Sequence, residues 1–457
     1  MKRQLLLATG CSMLLAGWLS AFLLNSDPQK STLYIIGPTL LLGIGMAVIR
    51  KTAGVRITVV TLGLTALAAL LAMNQIYPSK GVSFPVFNND REALMEKGDL
   101  IPIVVREKDR VDTFSVPRSL ETFSDVKVQL FAGLPGPPRM MAFDANGHLY
   151  VSIPNLGAIY KLTDRDGDGF SEQPILFHVG MDNPHGLVWS GDKLYVAETS
   201  QVLELRDTDQ NNQVDNVRIV VDGLPDDGGH WTRSLAMGND GFLYLSIGSR
   251  CNACEEKNSM RATVLKLNPD TGTFVIFAKG LRNTVGLSFS PDGNSLWGSD
   301  NGRDHLGDEL PPDEINQIVE NGDYGWPFCY GQQISDPDLG SPGRCQQTVA
   351  SSVDLPAHSA PLGIAFGDRL HAPDTYKNSL YVALHGSWNR TEPTGYKIIR
   401  IPYENQQMGQ EGKDFLKGWL VDGNVWGRPV APVVGPDGSL YLSDDQAAAI
   451  YRISWNQ

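Results

Sequence analysis

The chain has 457 residues and a formal net charge of −13. That acidity excludes a nucleic-acid partner, because no basic excess is present to neutralise phosphates. The length exceeds one ordinary core unless the fold is built from repeats, and 47 Gly with 28 Pro suit a turn-rich β protein.

Three uncharged apolar stretches come first. Residues 5–24 (LLLATGCSMLLAGWLSAFLL), 33–49 (LYIIGPTLLLGIGMAVI) and 57–73 (ITVVTLGLTALAALLAM) each predict a transmembrane helix. Lys2 and Arg3 precede the first, and Arg50, Lys51 and Arg56 fill the second connection. Basic residues favour the cytoplasmic side, so everything after residue 73 is expected outside. A cleaved signal peptide is the alternative for the first stretch. The expectation is a membrane anchor over 1–76 in a bacterial inner membrane. A linker over 77–125 and a periplasmic domain over 126–457 follow.

The chain then repeats itself. A small-apolar start, a turn and a strand carrying Leu-Tyr or a relative recur as MAFDANGHLYVSI, GLVWSGDKLYVAE, SLAMGNDGFLYLSIG and GLSFSPDGNSLWGSD. GIAFGDRLHAPDTYKNSLYVAL and APVVGPDGSLYLSDD complete the set. The first three starts lie about 45 to 50 residues apart, a propeller-blade period. Each hairpin alone exposes an apolar face, and packing blades round an axis buries those faces. The repeats predict an all-β six-bladed propeller, with the strand at 450–453 pairing with 126–131 to close the ring.

Four cysteines lie in the external region, Cys251, Cys254, Cys329 and Cys345. An even number outside the cytoplasm favours disulfides, and neighbour pairing is the simplest of three connectivities. CNAC at 251–254 is not a haem site, because Glu255 stands where an axial His would follow. Asp164, Asp166 and Asp168 alternate on a glycine-bent turn, a spacing that suits calcium. Asp207, Asp209, Asn211 and Asp215 form a weaker version.

Loops before each repeat converge at one end of a propeller axis. There the chain places His185, His230, Trp231, Arg233, Arg282, Asn283, His385, Trp388, Asn389, Arg390, Trp426 and Arg428. A blade has no packing need for these residues. Together they predict a positively charged pocket with aromatic walls, suited to a planar anionic ligand.

The blocks "YLSIGSR", "GLRNTVGLSFSPDG", "SDNGRD" with "DEIN", "NGDYGWP" and "HGSWNR" resemble the pyrroloquinoline quinone (PQQ)-dependent soluble glucose/aldose sugar dehydrogenases, in particular their L-sorbosone dehydrogenase-like branch. The resemblance covers about residues 180–457. It implies a quinone across the central pocket and His230 as the general base that takes the proton of a sugar hydroxyl. Arg282 and Asn283 match quinone contacts, with Arg282 also stabilising developing charge. Arg428 matches another quinone contact, and His185 and Arg390 fall at cofactor-facing positions. His185 stands where the family has Gln, and Val430 stands where it has a second arginine. The backbone carbonyls of Gly302 and Arg303 match holders of a catalytic calcium. Glu314 and Tyr324 match a second, structural calcium site. The implied substrate is a sugar or sugar aldehyde, and the expected membrane anchor would place the domain where electrons can enter a membrane quinone pool. Two other readings are open at this point, a calcium-dependent lactonase-like propeller hydrolase and a non-catalytic binding propeller.

Overall fold

The structure, a computed structural model, describes residues 98–456. The transmembrane helices expected at 5–24, 33–49 and 57–73, and the first part of the linker, lie outside the described residues. Among the described residues no helix is long and apolar enough to cross a membrane.

Each repeat folds into one antiparallel sheet. Blade 1 runs Met141–Phe143, Leu149–Ile153, Ala158–Leu162 and Ile175–Val179. Blade 2 runs Leu187–Ser190, Lys193–Ala197, Val202–Arg206 and Asn216–Val221. Blade 3 runs Arg233–Met237, Leu243–Ile247, Thr263–Leu267 and Phe274–Lys279. Blade 4 runs Thr284–Phe289, Leu296–Asp300, Asp313–Ile318 and Val353–Leu355. Blade 5 runs Pro361–Phe366, Ser379–Leu384, Lys397–Glu404 and Lys413–Lys417. Blade 6 runs Pro429–Val434, Leu440–Asp444 and Ala449–Trp455, with Val126–Gly133 as its outermost strand. The first strands of these sheets meet in cyclic order, blade 6 against blade 1 included, which makes the fold a β-propeller. Val128 pairs with Ile453 and Leu130 with Tyr451, so the two ends of the repeat region share one sheet.

The second strands are buried on both faces. Every residue of Leu149–Ile153, Leu243–Ile247 and Leu440–Asp444 is buried, because each of these strands is sandwiched between neighbouring blades. The repeated glycine at a blade start has a steric cause. A Cβ on Gly186 would lie 2.6 Å from Arg233 O, and one on Gly286 would lie 2.4 Å from Leu362 O. Inner strands approach backbone to backbone near the axis, and only glycine allows it. Serines then tie successive blades. Ser152 Oγ donates to His185 O at 2.8 Å, and Ser443 Oγ donates to Arg139 O at 2.7 Å. These bonds fix the residues that begin each inner strand, where the site is built.

The expected linker is corrected over its described part. Asp99–Pro102 and Ser119–Thr122 pair with each other, and Glu121 pairs with Lys417 at the edge of blade 5. Leu120 is fully buried beside Phe415, Leu416 and Trp419, so burial of apolar surface holds this segment in place. Blade 4 carries an insertion over 319–352. Its strand Gly322–Asp323 adds in parallel to Phe274–Lys279 of blade 3. Cys329 and Cys345 pair inside it with Cα atoms 5.6 Å apart.

Candidate active site

His230 hangs on the loop that enters blade 3. Arg233, the first residue of that blade, is fully buried. Its guanidinium donates to His230 O at 3.0 Å, Thr232 O at 2.8 Å and Pro225 O at 2.5 Å. Arg233 therefore folds the loop that presents His230, which corrects the expectation that a blade has no packing use for it. The imidazole Nδ1 lies 2.8 Å from Ser249 O and 2.9 Å from Ser249 Oγ. A carbonyl only accepts, so Nδ1 carries the proton and Nε2 keeps a lone pair. Burial, and then the Arg282 charge, lower the His230 pKa to about 4. The ring is thus neutral at pH 7 and able to receive a proton at Nε2.

Arg282 and Asn283 begin blade 4. The buried Asp300 carboxylate accepts from Arg282 N at 2.9 Å, Asn283 N at 2.8 Å and Thr284 Oγ1 at 3.0 Å, which fixes their turn. Arg282 donates from Nε to Asn252 O and from Nη2 to Asn252 Oδ1, both at 2.9 Å, and from Nη1 to Asn301 O at 3.0 Å. Asp304 lies 3.6 Å from the same guanidinium. Asn283 sits beside the base. A Cβ on Gly248 would lie 2.7 Å from His230 Cβ and 2.8 Å from Asn283 Oδ1, so glycine is what lets these two groups share the space.

The rim continues through residues from other blades. His185 is fully buried, and its Nδ1 donates to Arg233 O at 3.1 Å. The Trp231 ring meets His185 edge-on at 5.5 Å and lies 5.9 Å from the Arg139 guanidinium. Arg139 Nη1 donates to Asp445 Oδ2 at 2.8 Å, and His385 Nε2 contacts the Asp445 oxygens at 2.9 and 3.0 Å. Arg428 donates to His385 O at 3.1 Å and Gly386 O at 2.6 Å. Arg390 donates to Asp308 O at 2.6 Å and pairs with Glu309 at 2.6 Å, so this loop residue of blade 5 braces a loop of blade 4. The arginines are partly neutralised here, which tempers the expected positive pocket. Arg139 and Asp445 are site residues that the sequence reading missed.

The buried polar atoms of the rim with no partner among the described residues include Arg139 Nε, His185 Nε2 and Asn283 Oδ1. An unpaired buried group costs roughly 1–3 kcal/mol, so a ligand that pairs them recovers that cost. One cationic donor and two acceptors beside an indole suit a flat polar molecule carrying a carboxylate and N–H or O–H groups. A quinone cofactor of the expected kind fits this set.

Gly302 N donates to buried Asp313 at 2.8 Å, and Arg303 is held by Asp336 and Asp338 at 2.9 Å. Gly302, Arg303, Arg282, Glu314 and Tyr324 line one cavity of about 20 Å³, room for a single ion or water. Tyr324 Oη accepts from Val319 N at 3.0 Å. Glu314 is buried with no cationic partner among the described residues, and burial, then Asp300, push its pKa up to about 8. A cation is the group such a carboxylate lacks. A raised carboxyl pKa means that its stabilising share is present at low pH and lost as pH rises toward about 8. Calcium is therefore expected to raise the melting temperature more at pH 8 than at pH 5. At a hundredfold excess over Kd the gain is about 2.7 kcal/mol. Thermal melts with and without calcium check this, and Glu314→Gln should remove the increment.

Asp164, Asp166 and Asp168 come together within ion-binding range, as do Asp207, Asp209 and Asp215. Backbone amides already occupy Asp164, which accepts from Gly167 N at 2.9 Å and Gly169 N at 3.0 Å. Cys251 and Cys254 are bonded to each other, so no thiolate pair exists there. A cavity of about 410 Å³ follows the axis between Gly186, Ser234, Val285 and Gly363 and reaches the opposite mouth at Ser290 and Arg369. Its walls hold none of the rim histidines.

Residues 116–325 match the family described as "Domain of unknown function (DUF7133)", and residues 338–456 the family described as "TrAA12-like". An uncharacterized protein of Borreliella burgdorferi is 38% identical over 219 residues, 47% of this chain and 58% of that one. The pyrroloquinoline quinone-dependent pyranose dehydrogenase of Coprinopsis cinerea is 25% identical over 385 residues, 69% of this chain and 52% of that protein. The chain thus spans little more than half the length of these curated relatives. A Trichoderma reesei structure of Carbohydrate-Active Enzymes family AA12 has a TM-score of 0.64 at 23% identity, over 74% of this chain and 98% of that one. The holo PQQ domain of the C. cinerea pyranose dehydrogenase has a TM-score of 0.60 at 22% identity, over 73% of this chain and 97% of that one. The described chain is a β-propeller of the kind found in PQQ-dependent sugar dehydrogenases, its structural neighbours and curated relatives.

Proposed function

We propose that the protein is a quinoprotein dehydrogenase that oxidises a sugar or sugar aldehyde, with PQQ and calcium as cofactors. The observation that carries this reading is His230. Its proton is committed to Ser249 through Nδ1, its Nε2 is free to accept, and Asn283 Oδ1 stands unpaired beside it. When bound, the quinone supplies the two-electron acceptor that the polypeptide lacks. His230 Nε2 receives the substrate hydroxyl proton. Asn283 and His185 offer acceptors that orient a bound hydroxyl or N–H. Arg139 Nε offers a charged donor to a carboxylate. The two calcium sites expected from the sequence, the carbonyls of Gly302 and Arg303 and the pair Glu314 and Tyr324, line one small cavity, and together they would hold a single calcium.

Three finer points belong to the same reading. The substrate is an aldose or a sorbosone-like sugar aldehyde, the latter reacting as its hydrate, which carries the hydroxyl that gives up the proton. The apolar stretches at 5–24, 33–49 and 57–73 anchor the propeller to the periplasmic face of a bacterial inner membrane. Electrons then pass to the membrane quinone pool. Dye reduction by the full chain, with pyrroloquinoline quinone and calcium added and a panel of aldoses and sorbosone supplied, tests the reading. Activity that requires the quinone supports it. Absence of both quinone binding and dye reduction overturns it.

A further inference from the structure

The tetrapeptide CNAC at 251–254 is not needed to close a blade, yet it touches both halves of the candidate site. Ser249, which receives His230 Nδ1–H, donates its own hydroxyl to Cys251 O at 2.7 Å. One residue on, Asn252 presents its main-chain oxygen and its Oδ1 to Arg282, at 2.9 Å each. Asn252 Oδ1 also accepts from Asp304 N at 2.8 Å, and Nδ2 donates to Asp304 O at 3.1 Å. Every polar atom of the Asn252 side chain is thus used, and the amide orientation is fixed by its partners. Cys251 and Cys254 close the turn around it, and Glu256 Oε1 accepts from Arg250 N at 2.5 Å at its base.

His230 belongs to the approach to blade 3 and Arg282 to the approach to blade 4. Residues 249–252 are the short bridge between their side chains. The loop has no strand pairing of its own, so its shape depends on these bonds and on the cross-link. We propose that the disulfide-closed turn is a positioning device, and that Asn252 is the positioning residue that sets the Arg282 guanidinium relative to His230. A carbonyl and an amide oxygen at fixed separation match two arms of a planar guanidinium, which gives direction as well as attraction. The cross-link limits the conformations from which that geometry must be recovered. For its catalytic consequence the inference rests on the dehydrogenase reading. Its geometric content does not.

The test uses the full chain carrying Asn252→Ala. The expected results are a quinone Kd raised about tenfold, a kcat lowered on the order of 10²-fold, and a melting temperature within about 2 °C of the parent. One readout needs no cofactor. The charges that bear on His230 are Arg282, Arg261 and Arg233. Release of Arg282 toward Asp304 should raise the His230 imidazole titration, read by NMR on histidine-labelled apo-protein. The Cys251→Ser/Cys254→Ser double variant should move the same readouts in the same direction, whereas Cys329→Ser/Cys345→Ser should not move the His230 titration. If Asn252→Ala does not fold, the double-serine pair decides. Unchanged His230 titration in the variants overturns the inference. A parent protein that neither binds nor uses quinone overturns the dehydrogenase reading instead, and the apo titration still decides the role of Asn252.

Discussion

Replacing His230 with alanine is expected to lower kcat by about 10²–10⁴-fold while quinone affinity stays close to that of the parent. The size follows from what is lost. Only Nε2 accepts the substrate proton in the proposed step, and alanine offers no substitute. Affinity is spared because the partnerless atoms that suit a flat ligand belong to Arg139, His185 and Asn283. The pH profile is a second reading of the same group. Burial and the Arg282 charge hold the His230 pKa near about 4, so its neutral form persists throughout the neutral range. A base works when deprotonated, so kcat/KM should be flat between about pH 6 and 8 and fall only on the acid side. Half-maximal activity near the usual histidine value of about 6.5 would count against this assignment. So would full activity in His230→Ala with quinone bound.

Much of the architecture was legible because repetition leaves a chemical trace. Gly186, Gly286 and Gly363 open three repeats because a side chain there would strike the neighbouring inner strand. The pairing of 450–453 with 126–131 was legible because ring closure demands a partner for the last strand. The short strands Asp99–Pro102 and Ser119–Thr122 were not legible. They belong to no repeat, and their partner near Lys417 lies some three hundred residues away.

The site divides in the same way. His230 and Arg233 stand three residues apart and read alike, yet one presents a free nitrogen and the other is a buried brace. Only burial separates them. Arg139 was missed because it follows a Gly-Pro-Pro run that reads as plain loop, although it holds the same blade-start position as His185. The paired cysteines are suggested by their even number and spacing. The grip of Asn252 on Arg282 depends on how blade 4 meets blade 3, and no local pattern encodes it.

The Asp445→Asn variant is expected to lose about 3 kcal/mol of stability, a fall in melting temperature of roughly 6–10 °C. Asp445 joins blades 1, 5 and 6 by accepting from Arg139 Nη1 and His385 Nε2. Asparagine keeps the shape but removes the charge. Arg139 then remains mostly buried without a counter-ion, and His385 Nε2–H loses its strongest acceptor. Breaking one side of such a pair costs more than the pair itself contributes, because the abandoned charge stays desolvated. The sign with pH follows from the Asp445 pKa, which is lowered to about 2 although burial alone would raise it. The opposing causes are its hydrogen bond and charge interactions with His385 and Arg139. A depressed carboxylate stabilises the fold above its unfolded value of about 3.9 and ceases to do so as pH falls through about 2. The gap between parent and variant should therefore be full at pH 7, narrow on the acid side below about pH 4, and close near pH 2. Urea unfolding across that range measures it directly. A gap that stays below about 0.5 kcal/mol at pH 7 would mean that water already solvates Arg139 and Asp445. In that case the three blades are held together at the rim by their main-chain bonds alone.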